Sequence, residues 1–263
     1  MRAIRILYAF LAMIFLIAPL LVILPLAFTS SAFLSYPIPS WSFRWFEELA
    51  VSEMWSRSII NSLIIASGAT ALAVLLGSAA ALGLRARNLP FRNMMRTAFM
   101  LPMVAPAVVL GVGMQVLFVR LGLASSYVGV IAAHTVLAIP FVVISVGGAL
   151  AGIDPRVERA GASLGASPAR VFLRVTLPLS MSGVLSGAAL AFAISLDEVV
   201  LTLFVAGPNQ RTLARQMFSN LRENIGPEIA AAAFVIIVGT LVVAGAMLLG
   251  QRRIARLRGG PPE

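Results

Sequence analysis

At 263 residues, 60% apolar, only 11% charged and with a mean hydropathy of +0.97, the chain has too little polar side chain to coat a water-soluble domain and belongs in a bilayer. All twenty basic residues are Arg, against ten acids, and long uncharged runs separate them, so the net charge of +10 reads as membrane topology and excludes nucleic acid as a partner. With no Cys and one His, His134, there is no disulfide scaffold, thiolate zinc site, multi-histidine metal centre or cysteine nucleophile.

Crossing about 30 Å of hydrocarbon takes roughly twenty apolar residues as a helix, because backbone polar groups must pair internally where no water reaches them. Six segments meet that length. The first, Ile6 to Phe28, follows Arg2 and Arg5 and is too long for a cleaved signal, so it reads as a retained anchor. The stretch Thr29 to Ser58 combines Trp41, Trp45 and Trp55 with Glu47, Glu48 and Glu53, which suits an interfacial segment or a short amphipathic helix. The second segment, Ile59 to Leu84, carries Gly68, Gly77 and Gly83, small enough for close helix approach, and ends in a linker with Arg85, Arg87, Arg92 and Arg96. The third, Thr97 to Val119, contains Pro102 and Pro106, which can bend it, and Gly111 and Gly113. In the fourth, Tyr127 to Leu150, His134 lies mid-span before Pro140; a lone histidine there either relays protons or bonds a neighbouring helix. The fifth runs from Leu179 to Ala206 with Asp197 and Glu198 inside it, a polar loop Gly207 to Glu228 long enough for docking follows, and the sixth is Ile229 to Gly250.

Arg counts orient the bundle. The N-terminal tail, the linkers after segments two and four, and the tail with Arg252, Arg253, Arg256 and Arg258 hold fourteen Arg; Arg44, Arg57, Arg120, Arg211, Arg215 and Arg222 make six on the other side. Basic residues resist translocation, so both termini are expected in the cytoplasm.

The linker 151–178 is built like a folded element. Asp154-Pro155 is an N-cap followed by proline at the first helical position, Gly165 suits a left-handed helix end, and Ser167-Pro168 repeats the start signal. Helix, sharp turn and helix are predicted, with Val171, Phe172 and Val175 on one face of the second piece and Arg170 and Arg174 on another. The stretch resembles the EAA loop of ABC-importer permeases: E-A-A, three residues, G, nine residues, an aliphatic residue, one residue, then L-P. From Gly165 nine residues lead to Val175, then Leu177-Pro178; the triplet reads Arg159-Ala160-Gly161, with Glu158 one place before the family's acid.

That resemblance implies an all-α, six-span type I importer permease with no catalytic residue, metal or cofactor of its own. Its coupling residues would be Glu158, Arg159, Ala160, Gly161, Gly165, Ser167, Pro168, Phe172 and Pro178, docking against a dimer of ATP-binding subunits that hold the ATP. It also implies a second homologous permease, an external substrate-binding protein, and residence amid lipid in a bacterial cytoplasmic membrane. The chain has no G-x-x-x-x-G-K-[ST] run and cannot itself be the ATPase.

Each carboxylate of Asp197-Glu198 costs about 2.5 to 3.5 kcal/mol at mid-membrane, so such residues usually face a cavity and mark a pathway. Either Ser195, Asp197 and Glu198 receive a cation at the outer gate, or the acids reach outer water or pair with Arg211. Ser195-Leu196-Asp197-Glu198-Val199-Val200, then Phe204-Val205-Ala206-Gly207-Pro208 and Arg211-Thr212-Leu213, are similar to the spermidine/putrescine permease subgroup, which implies an amine cargo. Subgroup members often carry an acid after the proline where Ala107 follows Pro106. A secondary transporter or channel is the alternative; it would show paired inverted repeats, and none is evident.

Overall fold

A computed structural model describes residues 2–86 and 88–257; Arg87 and Arg258 lie outside the described residues. Those residues are helical apart from loops and one isolated bridge, Thr29 to Trp41. Helices Ile4–Phe28, Glu53–Arg85, Tyr127–Ala151, Pro168–Asp197 and Pro227–Arg253 are each long and apolar enough to cross a membrane, and a bent pair, Arg92–Val104 with Ala107–Arg120, makes six.

The chain divides into two compact units. The first comprises Met1–Ile59 with Gln216–Gly239. Its α1 (Arg2–Ile23) has no buried side chain among residues 4–23. The predicted interfacial stretch forms α2 (Arg44–Val51), which buries Trp45 and Leu49 and exposes Glu47 and Glu48. Phe28 packs its ring 5.0 Å from Phe46 and 5.2 Å from Phe234, so aromatic edges and faces close this unit.

The second unit, Ile60–Arg215 with Thr240–Glu263, carries the candidate site. Entering it are α3 (Glu53–Arg85), α4 (Arg92–Val104), α5 (Ala107–Arg120) and α6 (Tyr127–Ala151), the last started by Ser126, whose hydroxyl accepts from the Gly129 N–H. The third predicted span is not one helix: α4 and α5 meet at 103°. Pro106 has no N–H to give the Pro102 carbonyl, and its ring forces Ala105 into extended backbone at φ −67°, ψ 138°. Pro102 and Pro140, by contrast, stay inside their helices.

The hairpin helices α7 (Pro155–Ser163) and α8 (Pro168–Val171) lead through a π-helical segment Phe172–Thr176 into α9 (Leu177–Asp197). Helix α9 lies against α6 along most of its length. A Cβ on Gly183 would sit 2.5 Å from the Ala149 Cβ and 2.6 Å from the Ser145 carbonyl oxygen, so the two backbones touch where only hydrogen fits. Around this seam Ala73, Ala138, Val142, Val146, Leu150 and Ala191 form a buried cluster.

The fifth predicted span, Leu179 to Ala206, also divides. Helix α9 ends at Asp197, and α10 (Val200–Val205) begins after an extended Glu198. The polar loop beyond it folds into α11 (Leu213–Glu223) before α12 (Pro227–Leu257). Asn61 ties its first part to α3, donating to the carbonyls of Asn209 and Arg211 at 2.9 Å each, while Tyr127 donates to Asn61 Oδ1.

Candidate functional site

The linker 151–178 forms the predicted helix, turn and helix, and each local signal has its bond. Asp154 Oδ1 accepts from the Arg156 N–H at 2.8 Å, and Ser167 Oγ accepts from the Arg170 N–H at 3.4 Å. Gly165 sits at φ +81°; its N–H reaches the Ala162 carbonyl and the Ala166 N–H reaches that of Gly161, the paired bonds of a Schellman helix end. A side chain at position 165 would strain this turn.

The hairpin's second arm runs into α9 without a loop. Pro178 cannot donate, and a standard turn would drive its ring into the Arg174 carbonyl; widening to π geometry, with the Leu177 N–H bonded to the Phe172 carbonyl, relieves that clash and keeps the rod continuous. Residues Pro168–Asp197 therefore form one 30-residue helical stretch, whereas the sequence reading started this helix at Leu179. The hairpin's second arm is thus joined to Asp197 by unbroken helix.

Glu158 braces that hairpin from within. Its Oε1 accepts from Arg85 Nη1 at 2.7 Å and from Thr176 Oγ1 at 2.7 Å, joining α7 to the end of α3 and to the base of α9. Partial burial pushes its carboxyl up, but the bonds from Arg85 and Thr176 and the guanidinium charge outweigh that and hold it below the usual carboxylate range. Arg159, Arg170 and Arg174 are exposed on the hairpin, while Gly161 and Phe172 are half-buried, with Gly161 facing Val171. Sequence reasoning missed Leu164, 89% exposed at the hairpin tip. Its signal was an apolar residue in the C-cap position beside Gly165, where no described residue covers it.

The second constellation lies at the α9–α10 break. Ser195 and His134 are buried, with His134 Nδ1 2.7 Å from Ser195 Oγ and Nε2 3.1 Å from Thr202 Oγ1. Because the Thr202 hydroxyl donates to the Glu198 carbonyl, the network assigns the proton to Nε2 and leaves Nδ1 to accept from Ser195. His134 thus holds helix segments on both sides of the break, the helix-bonding alternative of the two read from sequence. Glu198 is engaged locally: its Oε1 accepts from the Leu201 N–H at 2.7 Å and caps α10. Asp197 is exposed at the end of α9. The structure therefore separates the three predicted pathway residues into a buried tie, a cap and one outward carboxylate. Neither acid forms an ion pair among the described residues, where the pairs are Arg57–Glu53 and Arg85–Glu158.

The family model for binding-protein-dependent transport system inner membrane components matches residues 73–256, a range containing both the braced hairpin and the broken helix. The chain belongs to this permease family. It is 35% identical to the putrescine transport system permease protein PotI of Escherichia coli (strain K12) over 92% of this chain and 88% of that one. It is also 37% identical to the molybdenum transport system permease protein ModB of Mycobacterium bovis, over 72% of this chain and 77% of that one. A crystal structure of a bacterial ABC transporter involved in alginate import matches in fold with a TM-score of 0.68 at 18% identity, covering 96% of this permease and 97% of that chain. This permease is accordingly a multi-pass inner-membrane component of a transport system.

Proposed function

We propose that this permease imports a small organic cation, of the putrescine or spermidine class, driven by a separate pair of ATP-binding subunits that push on the hairpin 154–178. Both termini then face the cytoplasm, a second homologous permease completes the pathway, and a binding protein delivers cargo outside. The observation that carries this reading is mechanical: a capped hairpin is continuous with the helix that ends at Asp197. The exposed Leu164, with Arg159 and Arg170 on the same hairpin, supplies an apolar knob with a basic rim of the kind that anchors protein interfaces. Relatives of similar identity carry unlike cargo, putrescine in one and molybdenum in another, so cargo is read from the pathway. There the outward carboxylate of Asp197 favours an amine.

The test is uptake of radiolabelled putrescine and spermidine by the full complex in proteoliposomes. Uptake should require hydrolysable ATP, Leu164→Asp should abolish it while leaving the permease folded, and Asp197→Asn should raise the half-saturating concentration roughly tenfold, the loss of one charge pair at a wet site. Uptake driven by an ion gradient with no ATPase present would establish a secondary transporter instead. Full transport in Asp197→Asn would remove the amine assignment and leave the coupling reading standing.

A further inference from the structure

A cavity of about 620 Å³ opens between the end of α3, α4 from Arg92 to Met100, and the last turns of α6 from Val143. Arg85, Arg92 and Arg96 line its polar side, and Leu84, Met100, Val143, Ile144 and Leu150 are among its apolar walls. Arg85 shares its guanidinium with Glu158, but neither Arg92 nor Arg96, one turn apart on α4, has an acidic partner among the described residues. The first turn of α4 holds no acid either. Three guanidinium groups around one hollow repel one another, and a cargo cation would find no welcome there.

The arrangement needs an anion. We infer that this cavity holds the phosphate group of an anionic phospholipid, with Arg85, Arg92 and Arg96 on its oxygens. A phosphate oxyanion matches the planar donors of arginine, and basic pockets between spanning helices at the cytoplasmic surface suit lipid head groups. The apolar wall decides between a soluble phosphate and a lipid. Met100, Val143 and Ile144 run from the arginines along helix surfaces that continue into the apolar spans, a path for an acyl chain that an inorganic ion would leave unfilled. The bound phosphate also touches the guanidinium that braces the coupling hairpin, so lipid occupancy and hairpin docking share Arg85. This inference rests on the cytoplasmic placement of the hairpin proposed above.

The experiment is native mass spectrometry of the full-length permease with its partner subunits, delipidated and titrated with phosphatidylglycerol, phosphatidylcholine or inorganic phosphate. Phosphatidylglycerol should be retained well over phosphatidylcholine, and millimolar phosphate should not displace it. The double substitution R92Q/R96Q should weaken phosphatidylglycerol binding by roughly thirtyfold, the effect of two interfacial arginines, while R92K/R96K retains most of it. Thermal unfolding of each variant identifies any that fail to fold, and R92K/R96K then carries the comparison. Equal retention of the two lipids, undiminished binding by a folded R92Q/R96Q, or displacement by free phosphate would overturn the assignment. Labelling of Ser163→Cys in this cysteine-free chain reports independently which face the hairpin occupies; reaction from the outside would overturn the placement without touching the lipid titration.

Discussion

Replacing Glu158 by Gln tests whether the hairpin is held as one body with α3 and α9. The substitution keeps the shape and one oxygen acceptor and removes the charge. In the native chain one Glu158 carboxylate oxygen takes two bonds of 2.7 Å, from Arg85 and Thr176, and the paired side chains are only about a quarter exposed, 27% for Arg85 and 23% for Glu158. A hydrogen bond to a charged group nets about 1.5 to 3 kcal/mol when buried, and residual solvent reduces that. A neutral amide retains part of the bonding, so Glu158→Gln should cost about 1 to 2 kcal/mol of docking free energy. That loosens the α7 arm roughly tenfold. Arg85 would lose its carboxylate partner on the hairpin and keep only the groups that line the cavity with Arg92 and Arg96.

Hydrogen exchange of the amides of residues 156–166, followed in lipid nanodiscs, measures this loosening directly. Protection should fall about tenfold in Glu158→Gln and in Arg85→Gln, and the double variant should fall no further, since either change alone removes the pair. Additive losses, with a coupling below about 0.3 kcal/mol, would refute the brace. Because the folded carboxyl titrates below its ordinary value of 4.5, the brace is fully present above that value and is lost as pH falls through the lower folded one. Exchange in this arm should therefore be insensitive to this group between pH 6 and 8 and should rise only under acid conditions, a rise that Glu158→Gln abolishes.

Two glycine comparisons separate conformational need from steric need. Gly183→Ala should lower the thermal midpoint in detergent by the equivalent of about 1 to 3 kcal/mol, since its Cβ meets Ala149 and the Ser145 carbonyl, whereas Gly113→Ala, with nothing within 4 Å, should leave it unchanged. In the hairpin, Gly165→Ala should destabilise the turn by about 1 to 2 kcal/mol because φ is +81°, seen as faster exchange of residues 161–166. Gly161→Ala should be neutral or stabilise α7 by up to about 1 kcal/mol, because its Cβ would lie at ordinary contact, 3.5 Å from Val171.

What could be read from sequence was what neighbours in the chain decide. The caps at Asp154 and Ser167 and the left-handed Gly165 need only three to five adjacent residues, and all three form the bonds expected of them. Glu158 meets Arg85 across 73 positions of chain, and no local pattern distinguishes a carboxylate aimed at an external subunit from one aimed at the end of an earlier helix. The severity of the bend in the third span was hidden for a different reason. Pro102 and Pro140 sit inside helices, and Pro106 breaks one, so residue type alone does not fix the outcome. Pro102 and Pro106 stand four apart, on the same helical row, and remove two donors from one side of the ladder; the backbone leaves helix at the second.

The break at Asp197 follows from charge in a way that the sequence does contain. A continuous helix would carry two adjacent carboxylates through an apolar span with no use for their oxygens. Ending α9 there and restarting at α10 gives Glu198 the Leu201 N–H, the positive end of a new helix, while Asp197 turns outward. A helix end needs a hold on both flanks if the break is to stay put, and His134 provides it by bonding Ser195 before the break and Thr202 after it. One acidic dipeptide thus breaks the helix at the far end of the same rod whose near end is the hairpin, and a rotation of α9 of the kind proposed above would be absorbed at the extended Glu198, beside the outward carboxylate of the pair.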